Sequence, residues 1–342
     1  MRCLVIACCV SFATENIPPD HPERVICLIN LGKLVGRRHE LTGSMSDLDR
    51  AVQVSDAGRE LLSSNSPHQT ACLNNLAMWL SRRFDRLELM GDLDRAILVA
   101  ESALEVTASD HPERSVCLDT LGACLGRRFD RTSSIDDVNR AIEAENMAVE
   151  AIPQDNPRKA GHWDALGVWM DRRFNLTGSM NDLNRAIEVA EMAVEVTPLD
   201  HMDRASYLNN LGCYLDKRHE RTGSMGDLTR SLSSFKEGWN CPGTPTYNRI
   251  RLALSAAGTY ASQSNWEESS QLLEQAVELL PAVSPRSSSH KDKEHMLATF
   301  VGLASAAAAV ALNAGRGAYN ALKLLELGRG IISNLLMDGH EG

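Results

Sequence analysis

The chain has 342 residues, 43% of them apolar and only 5% aromatic. That is too apolar for a disordered chain, and it allows two ordinary domains or one extended array. Its 35 basic and 45 acidic residues give a net charge of −10 with no basic block, which argues against nucleic acid and anionic membranes as partners.

The first residues imitate a secretory leader, with Arg2, a short apolar run and Ala13. Their register nevertheless continues the repeats that follow, Ala13 falling on Ala103 and Pro18 on Pro153 and Pro198. Residues 1–19 therefore read as a partial repeat, its second helix only. An orphan half-unit exposes an apolar face that solenoids normally cap, so either the chain is truncated there or something covers that end; self-association through it is one expectation. No apolar run approaches the roughly 20 residues of a bilayer span, so no membrane partner is expected.

Residues 20–244 form five units of 45 residues without insertion or deletion. Leu31, Leu76, Leu121, Leu166 and Leu211 mark one position, each followed by Gly or Ala. The pairs Arg37-Arg38, Arg82-Arg83, Arg127-Arg128, Arg172-Arg173 and Lys217-Arg218 mark another, and Asp20, Asn65, Asp110, Asp155 and Asp200 open the units. In each unit, apolar spacing predicts a first helix with one buried face, as in Leu118, Leu121, Leu125 and Phe129. Asp110 is the expected N-cap of that helix, with Pro112 in its first turn and Glu113 three residues on. A Thr177-Gly178-Ser179 turn leads to the second helix, whose capping boxes are Ser44/Asp47, Ser179/Asp182 and Ser224/Asp227. Its inner face is small: Ala186, Ile187, Ala190, Ala193 and Val194. Small residues such as Gly167 and Ala186 allow the backbones to approach closely.

The nine cysteines contain no metal-binding or paired spacing, and Cys27, Cys72 and Cys117 recur on an apolar stripe. They read as buried free thiols of a reducing, cytoplasmic protein.

A sixth helical pair spans residues 245–281. Its Trp266, Ser269, Leu273, Ala276 and closing Pro281 resemble the second half of a tetratricopeptide repeat, with Ser where that family usually has Ala. The 45-residue units are similar to long tetratricopeptide repeats, closer to kinesin light chain spacing than to the usual 34. The resemblance implies an all-α fold, a right-handed α-α superhelix of helix–turn–helix repeats. A Ser/Pro loop, 282–289, precedes two further helices within 290–342, expected at about 290–313 and 316–337. The second, with Ala321, Glu326, Arg329 and Gly330, resembles the lead-in to CHAT domains, which are caspase-like cysteine protease domains. The Arg-Phe-Asx runs and Gly-Ser-Met turns likewise resemble the fungal tetratricopeptide–CHAT group. That family's catalytic His and Cys lie beyond Gly342, so no catalytic residue carries over.

Repeated polar residues read as scaffold, because catalysis needs an asymmetric set of groups. His21, His111 and His201 read as local capping, and His39 and His219 as packing where Phe84, Phe129 and Phe174 stand elsewhere. His290 and His295 form only a weak metal-like pair. No enzyme activity, cofactor or metal is expected. The resemblance implies that first helices line a groove for a protein or peptide ligand. Groove positions would be Asn30, Asn74, Asn75, Asn209 and Asn210, followed by Arg37, Arg82, Arg127, Arg172 and Lys217. Asparagine amides suit a peptide backbone and guanidinium forks suit carboxylates, so an extended acidic peptide is the expected ligand. The competing role for the basic pairs is structural, meeting Asp47, Asp92, Asp137, Asp182 or Asp227. Asp119 and Asp164 weaken an anionic preference in the middle, where Thr120 and Ala165 also replace Asn; the groove should hold better at its ends. The resulting function is that of a recruitment array for a caspase-like protein, or alternatively a stand-alone adaptor of kinesin-light-chain or co-chaperone type. A nucleotide-switched receptor arm is a third class, without a supporting motif.

Overall fold

The 45-residue period sets the secondary structure of the computed structural model, which describes Pro18, His21 and residues 23–62, 66–153, 156–283 and 300–337. Two compact units are present, residues 1–177 and 178–342. The first contains α1 (Glu23–Thr42), α2 (Met45–Leu61), α3 (Gln69–Leu87), α4 (Met90–Val106), α5 (Arg114–Thr132), α6 (Ile135–Ala151) and α7 (Lys159–Thr177). The second contains α8 (Met180–Val196), α9 (Arg204–Thr222), α10 (Met225–Asn240), α11 (Thr246–Ser262), α12 (Trp266–Leu279), α13 (Leu303–Asn313) and α14 (Gly317–Met337). Residues 280–282 add a short 3₁₀ turn after α12. No strand occurs among the described residues. The expected partial repeat at 1–19, most of the Ser/Pro loop, and His290 and His295 lie outside the described residues, apart from Pro18.

Within each unit, a helix packs on the next in sequence, and alternate helices also touch: α1 on α3, α3 on α5, and α9 on α11. The recurring leucines carry this stacking. Leu31, Leu76, Leu121, Leu166 and Leu211 are all buried, as are Leu118, Leu125, Ala186, Ile187, Ala190 and Ala193. Each leucine removed from water contributes roughly 2 kcal/mol, which the short helices need because they are marginal alone. Leu48, Leu76, Leu93, Leu118, Leu125 and Ala141 belong to one continuous cluster that links α2 to α6.

The small residue after each leucine makes room for its partner on the second helix. A Cβ on Gly122 would stand 3.0 Å from Glu145 Oε1, and one on Gly32 would stand 2.8 Å from Ser55 Oγ. A second small–large complementarity was not read from the sequence. Gly36 lies under the Trp79 ring and Gly126 under the Trp169 ring, so closely that any Cβ would overlap the indole. Between those two interfaces, Ser81 faces Cys124, a medium pair.

Helix ends follow a repeated chemistry. Ser44, Ser134, Ser179 and Ser224 cap the second helices, each hydroxyl accepting from the N–H of the aspartate three residues on. The first helices begin later than their sequence suggests. α5 starts at Arg114, Glu113 occupies the N-cap without a side-chain bond, and Asp110 is left in the preceding turn. The reason is that His111 closes that turn, its Nδ1 accepting from the Glu113 N–H at 3.1 Å. His21 and His201 do the same for Glu23 and Asp203. Arg114 then reaches back to the Thr107 carbonyl at 2.7 Å, and Arg204 to the Thr197 carbonyl at 2.6 Å. A cation at a helix C-terminus meets carbonyls that have no partner within the helix, and it favours the helix dipole.

Candidate peptide-binding face

The seven-residue spacing between Asn75 and Arg82 is two helical turns, so both project from nearly the same side of α3. The same offset joins Asn30 to Arg37 and Asn210 to Lys217. The structure gives these equivalent positions different surroundings. Asn30, Arg37 and Arg82 are exposed and have no hydrogen-bond or ion-pair partner among the described residues. Asn74 is half-buried and Asn75 is buried; Asn74 Oδ1 and Asn75 Nδ2 are buried atoms that find no protein partner.

Further along, the equivalent cations are engaged. Arg127 on α5 donates to Asp85 on α3 at 2.7 Å and to its own helix at the Ala123 carbonyl. Arg172 on α7 pairs with Asp130 on α5, and its guanidinium lies 5.0 Å over the Trp169 ring. These first-of-pair cations therefore link successive first helices. Asn209 is buried and belongs to packing, because its carbonyl accepts from Ser255 on α11 at 3.0 Å. Asn210 and Lys217 are half-buried, and both have interactions within the protein.

The second residue of each pair has the structural role weighed above. Arg38, Arg83, Arg128 and Arg218 each grip one aspartate with two guanidinium nitrogens: Asp47, Asp92, Asp137 and Asp227. Such forks are the strong form of ion pair. Arg83, Arg128 and Arg218 also reach the preceding second helix, at Asp49, Asp94 and Asn184. Arg173 reaches Asn139 on α6 in the same way, at 2.8 Å. His39 and His219 are buried, and each Nδ1 meets the carbonyl of the next serine cap, Ser44 or Ser224. They fasten the turn as well as filling space.

Asp119, Glu145 and His162 also come together, from α5, α6 and α7. Sequence spacing could not reveal this group, because each side chain comes from a different helix. What could have pointed to it is the departure from the repeat at both Glu145 and His162. A separate open pocket of about 410 Å³ lies among α10, α11 and α12, with Leu232, Phe235 and Leu272 on its apolar side and Lys236, Glu268 and Gln271 on its polar side. None of the expected groove residues lines it.

Among the described residues, no helix is long and apolar enough to cross a membrane. The tetratricopeptide repeat family model matches residues 70–113. No curated protein matches the sequence. Among solved structures, a tetratricopeptide repeat protein from Parabacteroides merdae is 13% identical with a TM-score of 0.51, covering 81% of this chain and 86% of that one. Pseudomonas aeruginosa pilF is 14% identical with a TM-score of 0.49, covering 75% and 92%. A Podospora anserina putative kinesin light chain with nearly identical repeats is 15% identical with a TM-score of 0.47, covering 65% and 99%. The chain thus has the all-α helical-repeat fold of tetratricopeptide proteins, with one repeat, residues 70–113, matched in sequence.

Proposed function

We propose that the chain is a scaffold that binds an extended acidic peptide along its first helices, most strongly at α1 and α3. The observation that carries this reading is on α3: two buried amide atoms without protein partners, on Asn74 and Asn75, stand on the helix that carries exposed Arg82. A buried polar atom left unpaired costs about 1–3 kcal/mol, and a peptide backbone recovers that cost when it bonds there. Arg82 supplies a guanidinium fork for a carboxylate, and Asn30 and Arg37 repeat the pair one unit earlier. Arg127 and Arg172, already paired, contribute charge to the face but hold the stack first; within the second unit, Asn210 and Lys217 hold the equivalent positions, while Asn209 belongs to packing.

The test is binding of fluorescent acidic peptides, read by anisotropy, to the full chain and its variants. Asn75→Ala and Arg82→Glu should each weaken binding roughly tenfold or more, equivalent to the loss of a charged or buried hydrogen bond. Arg185→Ala, at an exposed pair with Glu188 on α8, serves as the control. Equal affinity in all four proteins would remove the face from the account.

We further read the array as the recruitment part of a caspase-like protein, on the resemblance of residues 321–330 to the segment that precedes CHAT domains. The raised thiol pKa values of Cys72 and Cys117, both pushed by burial to about 11, suit a reducing cytoplasm, where they stay protonated and inert. The intact mass of the protein from its source cells decides between this and a stand-alone adaptor. A mass well above 37.5 kDa, with peptides reading past Gly342, supports the former.

A further inference from the structure

Two departures from the repeat meet a third acidic or polar position at one point. Glu145 stands where other repeats have Ala100 and Ala190, and His162 where they have Cys72 and Cys117, while Asp119 holds the position of Asn74, Asp164 and Asn209. The three side chains bring one donor atom each to within 4.8 Å of one another. His162 Nδ1 lies 2.9 Å from Glu145 Oε2. Glu145 is 1% exposed and His162 9%. Asp119 is exposed as a residue, although protein atoms crowd its carboxyl and raise its pKa.

The electrostatics are those of a site short of positive charge. Burial first, and then Asp119, push Glu145 up to about 6 against the pull of His162. Burial opposes charge on His162, but its bond to Glu145 outweighs that and raises its pKa. The fold does not need this arrangement, since one repeat earlier the places of Glu145 and His162 are filled by Ala100 and Cys117, both fully buried. Apolar residues of similar size are commonly at least as stabilising as a buried charged group. The triad is therefore a poor packing choice and a good ligand set.

We propose that Asp119, Glu145 and His162 bind one divalent first-row transition ion with zinc-like ligand preferences, held between α5, α6 and α7. One imidazole and two carboxylates suit such an ion and leave a fourth position for water. With metal–ligand bonds of about 2.0–2.2 Å, tetrahedral donors lie about 3.3 Å apart, so the observed spread closes by at most about 1.5 Å. The exposed edge of Asp119 gives the ion its entry. Binding replaces the proton between His162 Nδ1 and Glu145 and releases it to solvent.

The test is a Co²⁺ titration of the reduced, metal-free full chain, followed by visible absorption and calorimetry. The expected result is one saturable site with d–d bands and no thiolate charge-transfer band, which separates this triad from the cysteines. His162→Gln and Glu145→Gln should abolish it. Asp119→Asn should weaken it roughly tenfold or more, and circular dichroism reports whether each variant keeps its helices. If the two buried variants unfold, the exposed Asp119→Asn variant decides. An absent band, a thiolate band accompanying all binding, or unchanged affinity in Asp119→Asn overturns the proposal.

Discussion

Gly126 illustrates how a single hydrogen atom controls an interface. Its α position lies against the Trp169 indole, so the methyl of Gly126→Ala has to displace a large, half-buried ring or the backbone. Overpacking of this kind costs typically 1–3 kcal/mol. Gly258→Ala is the contrasting case: it lies inside α11 with open space around its Cβ direction, so the gain in helix propensity of about 0.5–1 kcal/mol should dominate. Urea unfolding of the two variants, compared with the parent, should therefore move in opposite directions. Equal and small shifts would mean that Trp169 yields freely. The same scale contains the histidines of the turns, whose bonds to backbone groups were legible from sequence only as capping or packing. Which ring nitrogen meets which backbone atom depends on the turn conformation, and that follows from residues several positions away.

Between elements, the decisive unit is the arginine that ties a first helix to the second. Arg218 holds both oxygens of Asp227, at 2.9 and 2.7 Å, on the N-terminal turn of α10. That guanidinium, outweighing burial, keeps the Asp227 carboxyl below its ordinary value of 3.8. A carboxylate whose folded pKa is depressed stabilises the fold at pH values above its unfolded pKa, and this stability disappears as pH falls through the lower, folded value. Arg218→Gln should consequently cost on the order of 1 kcal/mol at pH 6, the range of a well-formed and partly exposed pair. The gap between parent and variant should begin to shrink below about pH 4, as the unfolded chain's aspartate takes up protons, and close as pH falls through the lower folded value, where Asp227 is protonated and the parent too loses the pair. Denaturation midpoints at pH 6 and pH 3.5 measure it, and a gap that stays constant would show that the arginine acts by packing alone.

Element boundaries show where the sequence was readable. The second helices begin where their Ser/Asp boxes place them, because a cap is a local interaction between residues three apart. The first helices do not start at Asp110 and its equivalents, because the proline-containing segment is closed as a separate turn by His111. α14 runs from Gly317, close to the expected start, whereas the description of α13 begins only at Leu303. For the proposed face, periodicity identifies which positions of the repeats are equivalent. It did not reveal that Arg127 and Arg172 are already paired, since Asp85 and Asp130 lie one repeat away.

Across the repeats of the first unit, the small–large interfaces alternate: Gly36 with Trp79, Ser81 with Cys124, Gly126 with Trp169. The pairs are complementary in volume, so their energies are coupled. Trp169→Cys alone leaves a cavity, and Gly126→Ser alone overlaps the indole. Combined, they reproduce the Ser81–Cys124 pairing, and the double variant should be at least about 1 kcal/mol more stable than the sum of the single losses. Strict additivity in a double-mutant cycle would show that the two residues do not share an interface.

That alternation also constrains how such an array changes length over generations. Recombination between identical-length units inserts or removes blocks of 45 residues and leaves every arginine at its proper distance from its aspartate. A slip of one residue would break both contacts of that arginine at once. Yet the loss of a single block brings Cys124 over Gly36 and leaves space where an indole belongs, while the loss of two brings Trp169 there and restores the fit. Losses among the repeats of the first unit should therefore be better tolerated in twos than singly.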